Sequence, residues 1–134
     1  MADASLNAVS LIPDDQMVFR VLTLPGWYRR GKFTYRAFML RPDETEISLG
    51  LSAEGALVGL TGPTYGFASL LVRDIHGLNK GLIVKPNPDN QQKAELWGLP
   101  LWSDNEDQRD VALAIAEDLA DISEFVPPLP VAGV

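Results

Sequence analysis

The chain has 134 residues, 46% of them hydrophobic and 22% charged, which suits one globular domain with a single core. It contains no cysteine and a single histidine, His76. That excludes disulfides, thiolate metal sites, cysteine nucleophiles and a histidine-rich zinc site. The net charge of −7 is unevenly spread: Met17 to Arg41 is basic without an acidic residue, whereas Asp104 to Glu124 is acidic apart from Arg109. Such polarity can dock two copies head to tail or serve only solubility, the more ordinary role of surface charge.

Taken in chain order, residues 1–16 read as an N-terminal arm. They hold no Lys or Arg, so the basic start of a secretory signal is missing. "MVFRVLT", from Met17, reads as a strand, rich in β-branched and aromatic residues. "LPGWYRRGK" reads as a loop, and "FTYRAFML", Phe33 to Leu40, as a second strand. "EISLGL" predicts a third strand and Ser52 a short helix over "AEGALVGL", weakened by Gly55 and Gly59. The uncharged run from Gly55 to Val72 is broken by four glycines and Pro63, so it is not expected to span a membrane, and a cytoplasmic location is expected. "FASLLVRDI" fits a buried strand or a helix equally well. "GLIVKP" and "KAELWGL" complete the strands. "SDNE" predicts a capping box, with Ser103 as N-cap and Glu106 at the third position. The helix that follows would bury Val111, Ile115, Leu119 and Ile122 and turn Asp110, Glu117, Asp121 and Glu124 to water. "VPPLPVAGV" cannot continue it. The expected fold is α+β: a mostly antiparallel sheet of about five to six short strands, with one long amphipathic C-terminal helix packed on it. The domain is expected over 17–126, with a loose tail at 127–134.

Two arginines share predicted strand faces with apolar residues: Arg20 with Val18 and Leu22, and Arg36 with Phe38 and Leu40. A buried guanidinium needs a partner. A chain carboxylate such as Glu46 or Glu95 is the commoner one; a ligand phosphate or carboxylate is the other. Arg20, Arg36 and the neighbouring Tyr35 are therefore the candidate ligand-binding residues. Trp27, Tyr28, Arg29, Arg30 and Lys32 combine rings and cations, the chemistry of single-stranded nucleic-acid or partner contact. With a net charge of −7, a solvated basic hairpin is the preferred reading.

Other constellations are weaker. "GLSAEG" has Glu54 where a nucleophile elbow around Ser52 needs glycine. The glycines of "GALVGLTGPTYG" lack phosphate-loop spacing. "LWGLPLW" suits a core seam better than a partner anchor. Arg20 on an early strand, Ser48 or Ser52 on or after a middle strand and Glu95 on a late strand loosely resemble the Arg–Ser–Glu layout of ADP-ribosyltransferases. The resemblance implies dinucleotide anchoring by the arginine, scaffolding by the serine and ribose activation by the glutamate, which would make Glu95 and Ser52 the candidate catalytic residues. The Ser-Thr-Ser run of that family is replaced by "SLGLS", and the chain is short for its fold, so no membership is assigned. The sequence thus leads to a module that binds a small anionic ligand or a protein partner, a second copy in a homodimer being one such partner, with no metal or cofactor expected. A nucleotide-consuming enzyme is the alternative, and nucleic acid and membrane are disfavoured.

Overall fold

The structure, a computed structural model, describes residues 12–129. Among the described residues eight strands form, β1 (Met17–Val21), β2 (Tyr28–Arg29), β3 (Lys32–Phe33), β4 (Ile47–Gly50), β5 (Phe67–Leu71), β6 (Ile83–Pro86), β7 (Lys93–Trp97) and β8 (Glu124–Val126). Three helices accompany them, α1 (Ala53–Leu57), α2 (Val72–Gly77) and α3 (Glu106–Ile122). Six strands make one antiparallel sheet in the order β6-β7-β4-β1-β5-β8, and β2 and β3 form a separate hairpin. The fold is α+β, as the alternation of strands with one long late helix implies.

Strand alternation divides the sheet into two faces. Val18, Leu22, Ile47, Leu49, Ala94 and Leu96 are buried on one of them and share a core with Ile115, Ala116 and Leu119 of α3. Between them lies a 3-10 turn, Tyr35–Phe38, whose Ala37 and Phe38 are buried. This turn replaces the strand expected from Phe33 to Leu40. After the two residues of β3, Thr34 stays extended and its hydroxyl bonds the Gly26 carbonyl at 3.0 Å, and the chain then tucks Phe38 inward. Arg36 therefore does not share a strand face with Phe38 and Leu40. The opposite sheet face receives α1. A side chain at Gly50 would lie 2.2 Å from the Ala56 backbone nitrogen, so the helix seats directly on the strand.

Local departures from expectation follow from hydrogen bonding. The long helix begins at Glu106 and not beside Ser103, because the Asn105 side chain accepts from the Gln108 N–H at 3.1 Å. The Ser103 hydroxyl instead accepts from the Asn105 N–H. The helix ends at Ile122, and Glu124 opens β8, which pairs with β5. "FASLLVRDI" is both elements in succession, β5 running straight into α2. In "LWGLPLW", Leu96 and Leu99 are buried, but Leu101 and Trp102 are exposed, so the core seam covers only the first part. Residues 12–16, which the sequence reading places in the arm, rest on the domain. Ile12 is buried, Gln16 Nε2 donates to the Leu51 carbonyl, and Asp14 meets His76 Nδ1 at 2.9 Å. The rest of the expected arm, 1–11, and the tail from 130 lie outside the described residues. Among the described residues, no helix is long and apolar enough to cross a membrane.

Candidate functional site

β1 and β4 are joined by a single residue pair, Phe19 opposite Gly50, whereas β1 pairs with β5 along five residues. The pairing does not continue to Arg20 and Ser48, and on that side lies a cleft of about 310 Å³, walled in part by Ala56, Val58, Gly59 and Leu60 at the end of α1. Arg20 of β1 lines it with Trp27, Arg41, Glu44, Ser48 and Lys93.

Arg20 belongs by alternation to the face of the fully buried Val18 and Leu22, and the parting of the strands gives its long side chain room. The Nε–H donates to the Ala37 carbonyl at 3.0 Å, and the guanidinium lies 5.0 Å from the centre of the Trp27 ring. No buried side-chain nitrogen or oxygen among the described residues lacks a partner, so the terminal nitrogens of Arg20 have access to the cleft. Burial draws its pKa down to about 10; nearby Glu44 opposes the shift and Arg41 adds to it. Arg20 is therefore still charged at neutral pH. Yet the ion pair formed among the described residues is His76 with Asp14, far from this group, and neither Glu46 nor Glu95 neutralises Arg20. Glu44 lines the same cleft and its field acts on Arg20, but it stands outside ion-pair distance, and its Oε1 accepts from the Arg41 N–H at 2.8 Å. Lys93, across the cleft on β7, has its pKa lowered by desolvation.

The other sequence candidates are distributed unevenly around this cleft. Trp27 is one wall of it. Ser48 lines it and stands opposite Glu95 in the β4–β7 register. Glu95 itself is partly buried and accepts from the Trp97 indole N–H at 3.0 Å. Ser52 caps α1, accepting from the Gly55 N–H at 2.9 Å, and does not line the cleft. Arg36 and Tyr35 lie on an adjoining groove, where the Arg36 guanidinium is 5.8 Å from the Tyr35 ring centre. Arg29, Arg30 and Lys32 form the exposed tip of the β2–β3 hairpin. Tyr28 is stacked on Phe125 with ring centres 4.1 Å apart. The rings of that stretch are thus committed to protein, and only its cations meet solvent.

Sequence reasoning missed Lys93, Arg41 and Glu44. Lys93 opens a strand whose alternation sets it on the face of Glu95, a legible signal. Arg41 and Glu44 reach the cleft from a turn, which no periodicity reveals. No family model, curated protein or solved structure matches this chain.

Proposed function

We propose that this chain is a binding module for a small anionic ligand, held in the cleft between β1 and β4 by Arg20 with Arg41 and Lys93. One observation carries the reading: Arg20 is charged and desolvated, opens onto a cleft, and has no carboxylate in ion-pair contact among the described residues. An anion in the cleft supplies the missing charge, and the guanidinium fork suits phosphate or carboxylate. Calorimetric titration with inorganic pyrophosphate and with citrate tests it. Binding of at least one is expected, reduced about 100-fold or more in Arg20→Met, in line with the ~3 kcal/mol that charge-assisted hydrogen bonds reach. Equal binding by the variant would defeat the proposal.

A second reading, a nucleotide-consuming transferase, is favoured by one specific feature. Ser48 lines the Arg20 cleft and stands opposite Glu95 in the β4–β7 register, so the three residue types of the ADP-ribosyltransferase layout lie on β1, β4 and β7, neighbours in one sheet, with Glu95 outside the cleft itself. On that reading Ser48, not Ser52, takes the scaffolding role. Incubation with nicotinamide dinucleotide would release nicotinamide, and Glu95→Gln would stop the release while leaving the fold intact. No release from the wild type in the presence of varied acceptors leaves the binding module as the reading.

A further inference from the structure

The Arg20 cleft does not end at Trp27. A second groove of about 680 Å³ begins on the far side, and the two cavities share Thr23, Trp27 and Arg41 in their walls. Their chemistry differs. The cleft is lined by Arg20, Lys93, Glu44 and Ser48, whereas the groove is lined mainly by apolar groups, among them Leu24, Tyr35 and Trp102. These three are also among the exposed large apolar side chains, at 51%, 38% and 45% of full exposure. Exposed rings beside a cleft with three cations, Arg20, Arg41 and Lys93, and one carboxylate, Glu44, set an open apolar surface next to net positive charge, and one molecule can occupy both.

We infer that the groove is a ring-binding subsite, so that the ligand of the cleft is a nucleotide: phosphate against Arg20, and the base on Tyr35 and Trp102. This deepens the anion-binding reading and rests on it. Continuity at Trp27 and Arg41 argues for one bipartite ligand and not two separate ones. Thr23, which lines both cavities, adds a hydroxyl at their junction that can meet the sugar of a nucleotide. Arg36, which lines the groove and approaches the Tyr35 ring, adds a flat cation that can stack on a base. Base stacking on aromatic side chains is favourable whatever the base, because every base has a π face.

The test compares ADP and UDP with pyrophosphate and phenyl phosphate by calorimetry on the full chain. At least one nucleotide is expected to bind about tenfold or more tightly than pyrophosphate, the scale of one stacked base. The double variant Tyr35→Ala, Trp102→Ala, both exposed positions, should erase that preference and leave pyrophosphate binding within about twofold. Circular dichroism and a thermal melt confirm that the variant is folded; should it fail to fold, Trp102→Ser alone, read through the same nucleotide-to-pyrophosphate ratio, replaces it. Nucleotide and pyrophosphate binding with equal affinity overturns the subsite and leaves the anion site standing. Phenyl phosphate matching ADP overturns the nucleotide assignment. Absence of binding by every probe overturns both this inference and the anion reading.

Discussion

Two cationic regions of this molecule have opposite fates. At the β2–β3 tip, Arg29, Arg30 and Lys32 stand in water, where charge is solvated and near neighbours matter little. At the parting of β1 and β4, Arg20 is placed by strand alternation among buried residues; it is half-buried, partly desolvated, and has no ion pair among the described residues. The tip has the denser cations, contiguous with aromatics, yet the sequence already favours a solvated hairpin there and Arg20 as the ligand candidate, and the exposure of the tip agrees with that order. What separates the two regions is the environment that the backbone imposes on each cation, not the local density of charge.

The most severe way to break the comparison is to close the parting itself. Gly50 is the last β4 residue paired with β1, and α1 sits where its side chain would be. Gly50→Val forces the helix off the sheet, and a loss of about 3 kcal/mol, the upper part of the overpacking range, is expected in urea denaturation. A loss below about 1 kcal/mol would mean that α1 is not fixed on β4 as described. The hairpin offers a contrast. Its base is held by Tyr28 stacked on Phe125, so Phe125→Ala should lose about 2–3 kcal/mol, less than a fully buried phenylalanine because Phe125 is only partly buried. A change at the base that matched the negligible changes expected at the tip would show the hairpin to be undocked.

Arg20→Met sharpens the comparison through stability. Orphaning one member of a buried ion pair costs about 3–5 kcal/mol. Arg20 has no such pair, so the unliganded variant should fall within about 1 kcal/mol of wild type: one lost bond to Ala37 and the Trp27 contact against relieved desolvation. The sign can be checked with pH. Folding lowers this pKa from the ordinary arginine range to about 10, so the unfolded chain holds the proton more tightly. The penalty is complete below about 10 and fades as pH rises above it, so any advantage of the variant should shrink there. A loss of 3 kcal/mol or more at neutral pH would show that a carboxylate pairs with Arg20 in solution.

The α+β class, the strand at Met17 and the late helix were legible from periodicity, and so was the placing of Arg20 on the face of Val18 and Leu22; the helix buries Ile115 and Leu119 as expected, whereas Val111 is exposed and Ile122 only partly buried. Arg36 was not. "FTYRAFML" has strand composition, but Thr34 fastens the chain to Gly26 and the 3-10 turn that follows swings Arg36 outward. This is tertiary context overriding propensity. Half of the cleft was equally hidden. Arg41, Glu44 and Trp102 reach their cavities from turns and a loop, and the Arg20 cleft opens beside the single position at which β1 and β4 pair. Nothing in a single chain's residue pattern announces where two neighbouring strands stop pairing.

The smallest expected effect lies at the hairpin tip. Arg30 and Gly31 both have positive φ, 54° and 79°, the requirement of a two-residue turn matched to the twist of its strands. Glycine meets it without strain, whereas arginine has a Cβ that crowds the following carbonyl. Asparagine tolerates this conformation better, and Asn-Gly is the favoured pair for such turns. Arg30→Asn should therefore stabilise the protein by about 0.5 kcal/mol, raising the thermal midpoint by roughly 1–3 °C for a domain of this size. It removes one tip cation and touches nothing in the cleft, so pyrophosphate affinity should stay within about twofold. A tenfold loss of anion binding in this variant, with Arg20 intact, would move the anion site from the strand wedge to the hairpin and undo the contrast between the two regions.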